Sequence, residues 1–228
     1  MDETVVIIPA FNEENAIGKV LAEIPADLVA EVVVVDNNSS DETQKKARDG
    51  GATVLEEKKQ GYGAACLKGL AYVAQREKTP DIIVFLDADY SDYPEEMRGL
   101  IKPISDDEAD MVIGSRALGD REKGAMMPQQ VFGNWLATSL LKWLYGVQYT
   151  DLGPFRAIRY SSLVDLAMQD QTYGWTVEMQ AKAAKQKLRY KEIAVNYRKR
   201  IGYSKIAGTV KGTILAGYKI ITTIFKYW

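Results

Sequence analysis

Histidine is missing from this 228-residue chain, and cysteine occurs once, at Cys66. That excludes a Ser-His-Asp triad, a Cys-His dyad, a zinc site of the usual ligands and any intramolecular disulfide. Acid, base or metal chemistry falls to Asp, Glu, Lys, Arg or Tyr. Long apolar runs are scarce too: Lys219 interrupts the most apolar stretch, 206–227, whereas a spanning helix needs roughly 20 nearly charge-free residues. The opening Met1-Asp2-Glu3-Thr4 lacks the basic and apolar regions of a signal peptide, so the expected setting is a reducing cytoplasm. No repeat, low-complexity tract or Gly/Ser linker divides the chain. What remains is ordinary: 46% hydrophobic and 26% charged residues, enough for one core of a soluble domain.

The net charge of −2 conceals an asymmetry. Residues 182–228 hold twelve Lys and Arg against the single acid Glu192, a net +11, which leaves −13 on residues 1–181. A basic C-terminal quarter suits either an anionic partner, such as a phosphorylated ligand or an acidic membrane, or a plain solvated helix.

Four short β-branched runs, Val5–Ile8, Val32–Val35, Ile82–Leu86 and Met111–Ile113, read as strands buried on both faces of a parallel sheet. Helical spacing separates them at 14–24, 41–49, 64–77 and 94–102, with Pro94 at an early helical position. The pattern is an α/β layer with helices on both sheet faces. Segment 115–128, rich in Gly, Lys and Met, is a candidate mobile active-site loop, and Val131–Tyr145 reads as an amphipathic helix. In 206–227, Lys211, Lys219 and Lys226 gather opposite Val210, Ile214, Gly217, Ile221, Ile224 and Phe225. That is the pattern of an interfacial helix, tipped by Tyr227 and Trp228, or of a surface helix packed on the core. Gly208 and Gly212, one turn apart, allow close helix contact and with it a homodimer.

The strongest chemical signal is Asp87-Ala88-Asp89, two carboxylates at the end of a buried strand, where ligands of open α/β sheets gather. Hard oxygen donors without histidine suit Mg²⁺ or Mn²⁺ on a diphosphate; the bland reading is a helix cap or a solvated strand end. Asp36, ending the second run, is placed to accept from the N3–H of a uracil or the N1–H and N2–H of a guanine, unless it is a turn aspartate. Gly61 and Gly63 permit close backbone approach to a ribose or phosphate, or simply make a turn.

Seven blocks in order, Pro9–Glu14, Val35–Asp41, Gly61–Ala64, Asp87–Asp89, Gly114–Arg116, Asp151–Arg156 and Arg200–Lys205, resemble family 2 glycosyltransferases of the GT-A fold, in particular the dolichyl- and polyprenyl-phosphate sugar synthases. The resemblance implies a mostly parallel Rossmann-like sheet spanning 1–205, with 206–228 as an appended helix. It implies that Pro9, Phe11, Glu13 and Asp36 hold the nucleoside, that Asp87 and Asp89 hold the metal and diphosphate, and that Arg200 and Lys205 close over the donor phosphates. Two cations in a Gly-containing loop complement a diphosphate on physical grounds as well.

Two departures bear on the acceptor. The synthases commonly carry a second Arg before an Asn on the helix after the mobile loop, where this chain reads Gln129-Gln130-Val131-Phe132-Gly133-Asn134. Glu178 stands where they often have Gln, which makes it the leading general-base candidate for a hydroxyl acceptor, with Asp151 its rival. Arg116 is the remaining candidate for an anionic acceptor group, and Trp175 is either a sugar platform or a core residue.

The expectation is an inverting, metal-dependent transfer of a sugar from a nucleoside diphosphate sugar, UDP before GDP, to a hydroxyl of a lipid or lipid-linked acceptor at the inner face of the cytoplasmic membrane. One alternative keeps the fold with a polyprenyl phosphate acceptor and no base; another is a non-catalytic nucleotide-sugar binding module. A nucleotidyltransferase loop or a Gly-x-Gly-x-x-Gly dehydrogenase loop is excluded by the acidic Asn12-Glu13-Glu14 after the first strand. Nucleic acid is disfavoured by a pI near 5.4.

Overall fold

The β-branched runs become strands because residues buried on both faces of a sheet gain packing on each side. In the computed structural model, which describes residues 2–202 and 210–228, β1 (Thr4–Ala10) is buried at every position. It pairs in parallel with β2 (Glu31–Asp36) and β4 (Ile82–Phe85), and β3 (Thr53–Glu56) pairs in parallel with β2. Helices α1 (Ile17–Glu23), α2 (Thr43–Asp49) and α3 (Tyr62–Val73) make the connections. A 3-10 turn at Pro94–Glu96 leads into α4 (Met97–Ser105) and then β5 (Met111–Ser115).

The second half extends the same sheet. After β5 come α5 (Pro128–Tyr145), β6 (Arg156–Arg159), α6 (Tyr160–Leu166), α7 (Trp175–Lys185), β7 (Tyr190–Ala194) and α8 (Val210–Tyr227). The seven strands lie in the order β3-β2-β1-β4-β6-β5-β7. Only β6 runs against its neighbours, β4 and β5, and β7 returns parallel to β5. Helix α5 starts three residues before its apolar spacing does, because Pro128 fits the first helical position, and Gly146 at φ 72° ends it without a Cβ clash.

Alternation along β1 divides the core. Val5 and Ile7 face a cluster shared with α3, α5, α7 and α8, while Val6 and Ile8 face one built with α1 and α4. Each such side chain contributes on the order of 1.5–3 kcal/mol of burial.

Helix α8 belongs to the first cluster. Ile224, which helical spacing groups with Phe225 on the lipid-directed face, is fully buried, and the Tyr145 hydroxyl donates to its carbonyl at 2.6 Å. Lys185 Nζ reaches the carbonyls of Tyr227 and Trp228, and Lys219 pairs with Asp170 at 2.8 Å. The domain takes the side of the helix that carries Thr223 and Ile224 and leaves the side of Ile214, Tyr218 and Phe225 outward.

Candidate functional site

The loops after β1 and β2 meet at one edge of the sheet because register sets Ala10 beside Asp36. They are laced together: Asn12 N donates to Ser39 Oγ at 2.9 Å, Ser40 N to Asn12 Oδ1 at 2.8 Å, and Glu13 N to Thr43 Oγ1 at 2.8 Å. Pro9 lies within β1, and Phe11 and Glu13 open the loop, half-buried. Asp36 is fully buried. Its Oδ2 accepts from Ser39 N at 3.2 Å and Gln44 Nε2 at 2.9 Å, whereas Oδ1 has no partner among the described residues. An enclosed carboxylate oxygen left open is a ready acceptor for a ligand N–H.

The turn after β4 carries Asp87 and Asp89. Asp89 Oδ1 accepts from Ser91 N at 2.9 Å, and Oδ2 pairs with Arg200 at 2.8 Å. Asp87 Oδ1 is enclosed and without a partner at hydrogen-bond distance among the described residues. Burial and the facing charge of Asp89 push the Asp87 carboxyl up to about 7. A divalent cation would relieve that strain, and two hard oxygen donors with an open lone pair fit Mg²⁺ or Mn²⁺. Among the described residues no three His, Cys, Asp or Glu converge on a metal position.

The sequence reading did not single out Asp92. It is buried, neither of its carboxylate oxygens has a partner among the described residues, and burial with the charges of Asp87 and Asp89 raises it well above the aspartate range. The third acid in Asp87-x-Asp89-x-x-Asp92 was the available signal. Arg198 was missed as well. Its guanidinium lies 3.3 Å from the Tyr90 ring centroid, its Nε donates to the Tyr90 carbonyl at 2.7 Å, and it ion-pairs with Glu23. These contacts hold Tyr90 at φ 66°, an uncommon backbone for a bulky residue. With Ile201 N donating to the Asp89 carbonyl at 2.9 Å, they fix the basic 198–201 segment against the two acids. Arg200 thus lies against Asp89, while Lys205 lies outside the described residues.

The expected loop 115–128 is joined to the same segment. Tyr197 N donates to the Asp120 carbonyl, Glu122 N to the Tyr197 carbonyl, and Lys199 N to Glu122 Oε2. At its root, Arg116 Nε and Nη2 each donate to Asp151 at 2.8 Å, with Arg116 N adding a third bond to that carboxylate. Burial would raise the Asp151 carboxyl, but Arg116 more than reverses this and holds it below the usual range. Asp151 is therefore committed to orienting Arg116.

Glu178 is committed more completely. It is fully buried and accepts from Gln169 N at 3.0 Å, Asp170 N at 2.6 Å, Lys182 Nζ at 2.7 Å and the Tyr227 hydroxyl at 2.7 Å. The expected base is thus a knot tying α7, the 169–170 turn and α8 together. Trp175 is core: it is buried and meets Phe85 edge-on, with centroids 5.7 Å apart. Gly61 and Gly63 are small for a different neighbour than expected, since a Cβ on either would strike the backbone of Gln171 or Asp170. Asn134 clips α5 to the Asp151 segment, donating to the Thr150 carbonyl and accepting from Leu152 N.

Comparison with known proteins places this geometry. Residues 5–166 match the family model described as glycosyl transferase family 2. The chain is 33% identical to an uncharacterized glycosyltransferase of Mycobacterium tuberculosis, over 94% of each chain. It is 35% identical to the dolichyl-phosphate hexose transferase of Haloferax volcanii, over 90% of this chain and 87% of that one. Its fold matches glucosyl-3-phosphoglycerate synthase from Mycobacterium tuberculosis, solved with Mn²⁺, UDP and phosphoglyceric acid, at a TM-score of 0.78 and 21% identity, covering 99% of this chain and 78% of that one.

Proposed function

The chain belongs to glycosyl transferase family 2, and from that premise we propose that it transfers a sugar from a UDP-sugar to the phosphate of a polyprenyl- or dolichyl-type lipid. The observation that carries this reading is the commitment of both acids that the sequence offered as bases: Glu178 has four partners and no exposure, and Asp151 is locked on Arg116, while the open Asp92 is assigned to the diphosphate end of the site with Asp87 and Asp89. A hydroxyl acceptor needs a base to take its proton, whereas a phosphate is already anionic. The same arrangement argues against the hydroxyl-acceptor expectation. The name of the Haloferax relative points the same way.

In this reading the open Oδ1 of Asp36 grips the base of the nucleotide, with Pro9, Phe11 and Glu13 around it. Asp87 and Asp89 hold Mg²⁺ or Mn²⁺, which when bound supplies charge to stabilise the leaving diphosphate. UDP with Mn²⁺ in the matching synthase structure supports that choice of donor and metal. Arg200 brings a cation to the same diphosphate, and Arg116, aimed by Asp151, faces the acceptor phosphate. An acceptor phosphate oxygen bonds to the anomeric carbon as the bond to the diphosphate breaks. The electron pair leaves with the nucleotide, the configuration inverts, and no proton has to move.

The test offers labelled UDP-glucose, UDP-galactose and GDP-mannose, each with Mn²⁺, against a polyprenyl phosphate and the matching polyprenol. Transfer to the phosphate alone, retained per folded molecule in Glu178→Gln, is expected. Transfer to the alcohol, lost in Glu178→Gln, would overturn the reading.

A further inference from the structure

The exposed large apolar side chains are not scattered. Among the described residues, all but Leu118 and Val164 lie on α5 or on α8 and its terminal Trp228. On α5, Phe132, Trp135 and Trp143 are 60%, 59% and 76% exposed, and at 3.6 residues per turn they fall within roughly an 80° arc. The Phe132 and Trp135 rings lie 5.7 Å apart. On α8, Ile214, Tyr218 and Phe225 point outward within roughly a 40° arc, with the buried Ile224 about 100° and the buried Thr223 about 160° round the helix from its centre.

The two helices stand side by side on one face of the sheet, since Ala137, Leu141 and Ile224 share a cluster with Val5 and Ile7 and the Tyr145 hydroxyl reaches across to Ile224. No acid occurs in 128–145 or 210–228, while Lys142 is exposed among the rings of α5 and Lys226 is exposed at the end of α8, its Nζ 4.7 Å from the Tyr227 ring centroid. Aromatic rings interspersed with lysines, and no carboxylate, partition into the headgroup layer of an anionic bilayer. A second copy would match the surface poorly, because a two-fold axis sets these lysines against each other with no acid to offset them.

The patch is also tied to the acceptor end of the site. Asn134, between Phe132 and Trp135, bonds the Thr150 carbonyl and Leu152 N on either side of Asp151, which holds Arg116. We propose that the outward faces of α5 and α8 form a docking surface for an anionic lipid bilayer, seating Phe132, Trp135 and Trp143 among the headgroups and holding the Arg116 end of the site at the membrane. This rests on the lipid-phosphate reading only for its purpose; vesicle binding is measured without turnover.

The test is co-sedimentation and tryptophan emission with phosphatidylcholine vesicles, with and without phosphatidylglycerol. Wild type is expected to sediment with the anionic vesicles and shift its emission to the blue. The combined Phe132→Ser, Trp135→Ser, Trp143→Ser variant should partition at least ~10-fold more weakly, with its melting midpoint and UDP affinity unchanged. Lys142→Glu with Lys226→Glu should lose the preference for anionic vesicles. Wild type that stays in the supernatant would overturn the proposal. So would serine variants that bind as wild type does, or a wild-type dimer that those variants turn into monomer. Vesicle binding without transfer to a lipid phosphate would leave the docking surface standing and remove the acceptor reading.

Discussion

Among single residues, the sharpest contrast is between carboxylates left open and carboxylates fully engaged. Asp36 keeps one oxygen open, so Asp36→Ala should weaken UDP binding at least ~10-fold, or about 1.4 kcal/mol, by calorimetric titration. Glu178 has no such freedom. Glu178→Gln replaces an acceptor oxygen by a donor facing backbone N–H groups, at a cost of about 2–4 kcal/mol in urea unfolding, with transfer retained on the folded fraction. Asp151, held below its unfolded value by Arg116, contributes stability that is full above the ordinary aspartate range and lost as pH falls through its folded value. Asp151→Asn should therefore cost about 3–5 kcal/mol at neutral pH, and the gap from wild type should close in acid, read from urea midpoints across pH. The positions of Asp36, Asp87 and Asp89 at or just after strand ends, and of Arg200 in a basic loop, were legible in the sequence because strand ends and basic loops announce themselves locally. Glu178 and Trp175 were not, because their surroundings come from the 169–170 turn, α8 and β4, elements distant in the chain.

For elements, legibility followed burial. The strands β1, β2, β4 and β5 were visible as unbroken apolar runs. The edge strands β3 and β7 are only half-buried and carry no such run, and β6 hides behind Arg156, whose fully buried guanidinium donates to the carbonyls of Gly153, Leu152 and Thr176. An arginine at each end of a four-residue strand reads as surface until the partners of Arg156 are seen. Helix α8 was visible as amphipathic, but the part of its apolar face that the domain takes was not, since Ile224 and Phe225 share that face and Ile224 is buried while Phe225 is exposed. Its hold can be measured: Tyr227→Phe removes the hydroxyl donated to Glu178 and should cost about 1–3 kcal/mol in thermal unfolding.

The whole molecule depends on a strand that arrives late. Residues 4–85 supply the parallel half, β3-β2-β1-β4, yet the outer edge of β4 is covered only by β6, about seventy residues further along. During synthesis at about 5–20 residues per second, that apolar edge waits on the order of ten seconds for its partner. The newborn chain is thus most open to chaperone capture and to edge-to-edge aggregation while residues 86–155 are being made. In a protease assay on stalled ribosomes, cleavage near Ile82–Phe85 should persist until β6 has emerged and then stop.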